Sequence, residues 1–307
     1  MERIVITRIP PGGAVDRLRS VGAVTVWPED REMPRRDLLA AVGDATGLYA
    51  MLTDRVDREL FDAAPNLRVV STMAVGVDNI DVATATDRGI AVGHTPDVLT
   101  ETTADMAFAL LLAAARRLSE GVDYVRADAW RIWDPELLWG VDLHGSAIGI
   151  VGLGRIGQAV ARRAAGFAMT VVSHSRSGGV DLDELLAVSD HVVLTTALTT
   201  ETRHLIAERE LRTMKETATL VNVGRGGLVD SDALVLALRE GWIFAAGLDV
   251  TDPEPMSADH PLVALPNCTI VPHLGSATHR TRVAMADLAA DNLIAGLQGE
   301  PLPAAVC

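Results

Sequence analysis

Gly152-Leu153-Gly154-Arg155-Ile156-Gly157 follows the apolar run Ala147–Val151 and opens a stretch with helical spacing, Ile156–Phe167. Strand, glycine-rich turn and helix, in that order, are what a dinucleotide pyrophosphate requires. The glycines allow a tight turn, close approach of the phosphates and close packing of helix on strand. The start of the helix then presents unpaired N–H groups and the positive end of its dipole to the anion. Glycine-rich turns are common in themselves, and here the setting gives the motif its weight. The strand before, the helix after and a second strand at Met169–Ser173 all agree.

Outward from that motif, short β-branched runs alternate with amphipathic segments, the pattern of βαβ units around a parallel sheet. Further strands are expected at His191–Thr195, Thr219–Val223, Ala245–Val250 and Thr269–Val271, with helices at Leu182–Ala187, Glu208–Met214 and Asp232–Glu240. Six strands in two halves match the doubly wound dinucleotide-binding fold. The first third holds a second series: Ile4–Thr7, Val24–Trp27, Gly47–Leu52, Leu67–Ser71 and Ile90–Gly93, with helical spacing at Leu38–Val42 and Val56–Ala64. The expected fold class is therefore α/β with two doubly wound parallel-sheet domains. A Rossmann dinucleotide domain, residues 99–279, is inserted into a smaller flavodoxin-like substrate domain, residues 1–98 plus 280–307. The last helix, Thr281–Leu297, returns to the first domain. A long apolar helix, Glu101–Leu118, is expected at a domain or subunit contact. Residues 130–145, with Trp130, Trp133 and Trp139, read as an irregular loop that closes on a substrate or a subunit, or is simply pinned to the surface.

Composition sets outer bounds. The chain has 307 residues, enough for two domains sharing a cleft. Lys and Arg total 27 against 41 Asp and Glu, a net charge of −14. That excludes nucleic acid as a general partner, though a few inward arginines still suit a small anion. Two cysteines, Cys268 and Cys307, are too few for a disulfide framework or a Cys-rich metal site, and no metal is expected. The N-terminus starts a strand without an apolar leader, and the longest apolar run is too short to span a bilayer. A cytoplasmic protein with no membrane partner is the expectation.

The second strand of the nucleotide unit ends in Ser173-His174-Ser175-Arg176. A site for NAD normally has a carboxylate here for the ribose hydroxyls, and none is present. A hydroxyl at Ser175 followed by the Arg176 guanidinium suits a 2′-phosphate, so NADP(H) is favoured and NAD(H) remains possible. The alternative is an ordinary solvated arginine at a strand end.

Three more segments fall where sheet strands end, the place where doubly wound folds bind ligands. They are Asn222-Val223-Gly224-Arg225-Gly226, Leu248-Asp249-Val250-Thr251-Asp252-Pro253-Glu254-Pro255 and Pro272-His273-Leu274-Gly275-Ser276. Arg225, Glu254 and His273 each have a bland reading alone: a surface charge, a solvated turn, a packed histidine. Together they supply what reduction of a keto acid needs: a cation for the carboxylate, a proton donor for the forming alkoxide, and a carboxylate to orient that donor.

These segments, with Ala74-Val75-Gly76-Val77-Asp78-Asn79-Ile80-Asp81, resemble the D-isomer-specific 2-hydroxyacid dehydrogenase family over essentially the whole chain. The stretch Cys268–Pro303 looks especially like glyoxylate/hydroxypyruvate reductases. The resemblance implies an NAD(P)-dependent oxidoreductase acting on a small anionic 2-keto or 2-hydroxy acid. It implies that Arg225 grips the substrate, His273 is the general acid–base and Glu254 hydrogen-bonds it. Val75 and Gly76 N–H groups would bind the substrate carboxylate, with Ser276 near both substrate and nicotinamide. Asp249 would hold the carboxamide, Thr103 would touch the cofactor, and Gly152, Gly154, Arg155, Ile156 and Gly157 would lie on the pyrophosphate.

Two positions depart from the family's habit: Ala197 stands where proline is common, and Thr251 where an aromatic often follows Asp-Val. The resemblance also implies a homodimer through the nucleotide domains, with Glu101–Leu118 a candidate contact. Competing readings are a phosphoglycerate, formate, phosphite or keto-gluconate dehydrogenase of the same family, or a non-catalytic dinucleotide-sensing regulator on the same scaffold.

Overall fold

A computed structural model describes residues 1–307 and divides them into two compact units: Met1–Leu99 with Thr278–Cys307, and Thr100–Ala277. In the first unit, β1 (Glu2–Ile6), β2 (Gly22–Val26), β3 (Gly47–Ala50), β4 (Val69–Thr72) and β5 (Ala91–Gly93) form one sheet in the order β2-β1-β3-β4-β5. Every pairing is parallel. This is the flavodoxin-like order, whose ligands sit beyond the carboxyl ends of the strands. One face of the sheet buries Val5, Leu48, Val70 and Val92 with Leu60 and Phe61. The helix His279–Gln298 packs on β3 and β4 and beside the helix Ala14–Arg19. Gly47 admits it closely, because a Cβ there would lie 2.6 Å from Leu293.

The second unit carries β6 (Ala147–Val151), β7 (Thr170–Ser175), β8 (Gly178–Gly179), β9 (His191–Leu194), β10 (Thr219–Asn222), β11 (Ala245–Leu248) and β12 (Cys268–Ile270). Their order is β12-β11-β10-β9-β6-β7-β8, parallel except for the β7–β8 pair. The central strands β6, β9, β10 and β11 are buried on both faces, and the pleat divides their residues between two cores. Val192, Leu194 and Leu220 face one core; Ile148, Ile150, Val193 and Val221 face the other. Strands covered on both sides read as unbroken apolar runs, which explains why these central strands stand out in the sequence.

Several details depart from the sequence reading. β8 was not expected. The long apolar helix spans Thr100–Ala115 and stops there, because Arg117 takes a left-handed conformation (φ 51°) and starts a separate helix, Leu118–Arg126. The apolar side of Thr100–Ala115 is also taken up within its own unit. Ala104, Ala107, Phe108, Leu110, Leu111 and Ala115 are buried in the core of its own unit, against β10, β11 and the helix Arg155–Gly166. No helix is long and apolar enough to cross a membrane.

Candidate active site

The sheet of the second unit reverses winding direction between β6 and β9, so the loops after these strands splay apart and open a crevice. Gly152 leaves β6 at φ +98°, a conformation that strongly favours glycine, and its N–H donates to His174 O at 2.8 Å. A Cβ on Gly157 would lie 2.1 Å from Gly152 O, so only glycine lets the helix sit this close to the strand. Around Gly154 the space is open, and the helix Arg155–Gly166 has no side-chain cap. The start of a helix directs its first N–H groups and positive dipole end toward an anion, and the backbone at Gly154 leaves room for one to approach. These residues fit a dinucleotide pyrophosphate. Across the crevice, Thr195 Oγ1 donates to Gly152 O at 2.5 Å. The loop that begins at Thr195 and carries Ala197 is closed by Thr202. Its hydroxyl donates to Ala197 O at 2.8 Å and accepts from Thr199 N at 2.7 Å.

Beyond β7 the chain turns back at once into β8. Ser175 Oγ donates to Gly178 O at 2.9 Å, so its proton belongs to this hairpin. Arg176 is exposed at the tip. It is close enough to Glu201 to help the Thr199 hydroxyl, the larger influence, hold that carboxyl below its ordinary value.

Arg225 is set by the residue that ends β10. Asn222 Oδ1 accepts from Gly224 N at 3.0 Å and Asn222 Nδ2 donates to Arg225 O at 2.8 Å, bracketing the turn on both sides. A Cβ on Gly226 would lie 1.9 Å from Thr251 O, which ties this loop to the one after β11. That second loop carries Glu254 between two cis X-Pro bonds. Glu254 Oε1 lies 2.6 Å from His273 Nδ1, with side chains 33% and 26% exposed.

His273 itself sits at φ +52°, an uncommon conformation for a residue with a Cβ and one that costs of order 1–2 kcal/mol. Asp249 holds it there. Its carbonyl accepts from His273 N at 2.9 Å, and its two carboxylate oxygens accept from Leu274 N at 2.6 Å and Gly275 N at 2.8 Å. Three consecutive N–H groups thus converge on one buried residue. Burial pushes the Asp249 carboxyl up, and these N–H bonds only partly offset it. Thr103, buried in the helix Thr100–Ala115, lies beside Gly275, and buried Ser276 follows it.

Residues 108–275 match the family description "D-isomer specific 2-hydroxyacid dehydrogenase, NAD binding domain". A glyoxylate reductase of Thermococcus gammatolerans is 50% identical, covering 99% of this chain and 95% of the relative. The chain belongs to the D-isomer-specific 2-hydroxyacid dehydrogenase family. It is an oxidoreductase, and two solved structures show how closely the fold is shared. A protein from Thermus thermophilus is 50% identical with a TM-score of 0.94, covering 99% of this chain and 100% of that one. An NADPH-dependent glyoxylate/hydroxypyruvate reductase from Sinorhizobium meliloti, solved with NADP and malonate, is 33% identical with a TM-score of 0.88, covering 100% and 97%.

Within the 2-hydroxyacid dehydrogenase framework, the structure brings Glu254 and His273 into direct contact, with Arg225 in electrostatic reach of Glu254. Asn222 escaped the sequence reading, as did the grip of Asp249 on the His273 loop. Both act on backbone groups, and their signal was an amide or carboxylate at the last residue of a strand or just beyond it.

The Glu254–His273 pair has a pH consequence. Burial pushes the Glu254 carboxyl up, but the His273 hydrogen bond and charge, Thr251 N–H and Arg225 outweigh it and hold the carboxyl below its ordinary value. The pairing is therefore intact above the ordinary carboxylate range and is lost as pH falls through the lowered value. The reduction rate is therefore expected to fall as pH drops through the lowered Glu254 value, and Glu254→Gln, which has no carboxylate to protonate, is expected to lose that acid limb along with part of its rate. A pH–rate profile superimposable on wild type would count against the pair.

Proposed function

We propose that this enzyme reduces a small 2-keto acid, glyoxylate or hydroxypyruvate, to its 2-hydroxy acid, with NADP(H) favoured over NAD(H). The observation that carries the reading is the Glu254–His273 contact, a proton donor held by a carboxylate. The names of the Thermococcus and Sinorhizobium relatives agree with it.

In this reading the unit Thr100–Ala277 binds the dinucleotide through Gly152, Gly154, Arg155, Ile156 and Gly157, with Thr103, Asp249 and Ser276 toward its nicotinamide end. When bound, the reduced nicotinamide supplies the hydride that the keto carbon accepts. His273 gives a proton to the carbonyl oxygen from Nε2, since Nδ1 is engaged by Glu254. Glu254 stabilises the imidazolium before that transfer. Arg225 binds the carboxylate and polarises the carbonyl through a planar fork of donors. Ser276 borders the substrate. In the unit Met1–Leu99 with Thr278–Cys307, the N–H groups of Val75 and Gly76 bind the substrate carboxylate.

Arg176 supports the preference for NADPH, being exposed at the β7–β8 turn with no acidic residue beside it on that hairpin. A charge-assisted contact to a 2′-phosphate contributes about 1.5–3 kcal/mol, and 1.4 kcal/mol is about tenfold. A matrix of NADPH and NADH against glyoxylate, hydroxypyruvate and pyruvate is expected to show at least roughly tenfold higher efficiency with NADPH. Ser175→Asp with Arg176→Ala is expected to reverse it. Equal use of both cofactors would overturn the assignment of Arg176.

The enzyme is also proposed to be a homodimer. Leu118, Val122 and Val125 share one face of the helix Leu118–Arg126 and are exposed, and Trp130, Ile132, Trp133 and Trp139 follow, Trp133 at 78%. An apolar surface of that kind on a globular chain marks a contact site. Residues 118–139 are the candidate contact proposed here, and a monomer in sedimentation equilibrium would refute the dimer.

A further inference from the structure

We infer that His94 is a positioning residue that aims the Val75 and Gly76 N–H groups at the substrate carboxylate, an inference that rests on the functional reading above. The loop that leaves β4 at Met73 runs past the end of β5 at the carboxyl edge of the first unit's sheet. Two of its carbonyls in succession are captured there. Thr95 N donates to Ala74 O at 2.8 Å, and His94 Nδ1 lies 2.9 Å from Val75 O. A carbonyl only accepts, so the Nδ1 atom carries the hydrogen and donates.

The geometry of the trans peptide does the rest. C=O of residue i and N–H of residue i+1 share one plane and point in opposite directions. Anchoring Ala74 O therefore directs Val75 N–H away from β5, and anchoring Val75 O does the same for Gly76 N–H. The two donors required for a carboxylate are thus the two set by His94 and Thr95.

His94 is itself held from behind. Its N–H donates to Ala304 O at 3.1 Å, and its carbonyl accepts from Asn292 Nδ2 at 2.9 Å. Asn292 is fully buried on the helix His279–Gln298, and its Oδ1 accepts from Ala304 N at 2.9 Å. Gly93 allows this approach, since a Cβ there would lie 2.7 Å from Asn292. The return of the C-terminal helix to the first unit thereby reaches the substrate loop through two side chains, Asn292 and His94.

The test compares His94→Ala, His94→Asn and His94→Gln. The asparagine Nδ2 takes the place of the histidine Nδ1, whereas a glutamine amide lies one bond farther out. His94→Ala is expected to raise KM for glyoxylate and the dissociation constant of oxalate from the enzyme–NADPH complex by about tenfold, roughly one misaimed charge-assisted bond. The kcat and the KM for NADPH are expected to stay within about twofold. Amide hydrogen exchange of residues 74–76 is expected to quicken in the same variant. Asparagine restores all three readouts and glutamine does not. Unchanged exchange and unchanged KM in His94→Ala overturn the inference, as does equal rescue by glutamine, or a parallel fall in kcat and NADPH affinity. If wild type neither reduces glyoxylate nor binds oxalate, the functional reading fails instead, while the exchange data still report on the anchor.

Discussion

His273→Ala is expected to lower the rate of keto-acid reduction by about two to four orders of magnitude, the usual worth of a general acid–base. The size of the effect follows from how the side chain is held. Its backbone is in an uncommon left-handed conformation, its N–H and the next two N–H groups are gathered by Asp249, and its Nδ1 is fixed by Glu254. A water molecule in the vacated space has none of that orientation. Dinucleotide binding is expected to persist, because the glycine turn and the helix after it do not involve the imidazole. His273→Asn serves as the companion variant, since asparagine tolerates the left-handed conformation better than alanine and keeps the loop intact. Near-normal turnover in both variants, with cofactor still bound, would remove His273 from the mechanism.

Arg225→Lys keeps the charge and is nevertheless expected to lower kcat/KM for glyoxylate or hydroxypyruvate by about ten- to a hundredfold. A guanidinium offers a planar fork that meets a carboxylate with two parallel bonds, and an ammonium is a single point charge. Losing one charge-assisted bond of about 1.5–3 kcal/mol sets that range. Asn222 holds the Arg225 carbonyl and the Gly224 N–H just before it, so the substituted side chain cannot recover the geometry through a backbone shift without breaking those bonds. Steady-state kinetics with both substrates reads the effect. Kinetics unchanged from wild type would return Arg225 to the status of an ordinary half-buried charge.

The legibility of the chain followed the physics of each element. Parallel strands covered on both faces are runs of Val, Ile and Leu, so β6, β9 and β10 were visible almost to the residue. β8 consists of Gly178 and Gly179, and without side chains it leaves no apolar pattern. The end of the helix at Ala115 was hidden for a different reason. Arg116-Arg117-Leu118 has good helix-forming composition, and the break is a single left-handed residue at Arg117. The short helix Val82–Asp87 went unread although Asp81 caps it by accepting from Thr84 N. In the site, Arg225, Glu254 and His273 declared themselves by residue type at strand ends. Asn222, His94 and the second task of Asp249 did not. They act on N–H and C=O groups that nearly every residue carries, so only the folded backbone reveals which ones they reach.

The central claim is that this chain moves hydride from a reduced nicotinamide to the keto carbon of a small 2-keto acid. Incubating the enzyme with glyoxylate and NADPH deuterated at C4 on one face, then the other, tests it directly. The predicted result is glycolate with deuterium on C2 from one of the two cofactors and none from the other, with dinucleotide oxidised in equal amount. Glycolate without deuterium from either cofactor, or oxidation of the dinucleotide that does not depend on glyoxylate, would contradict the account.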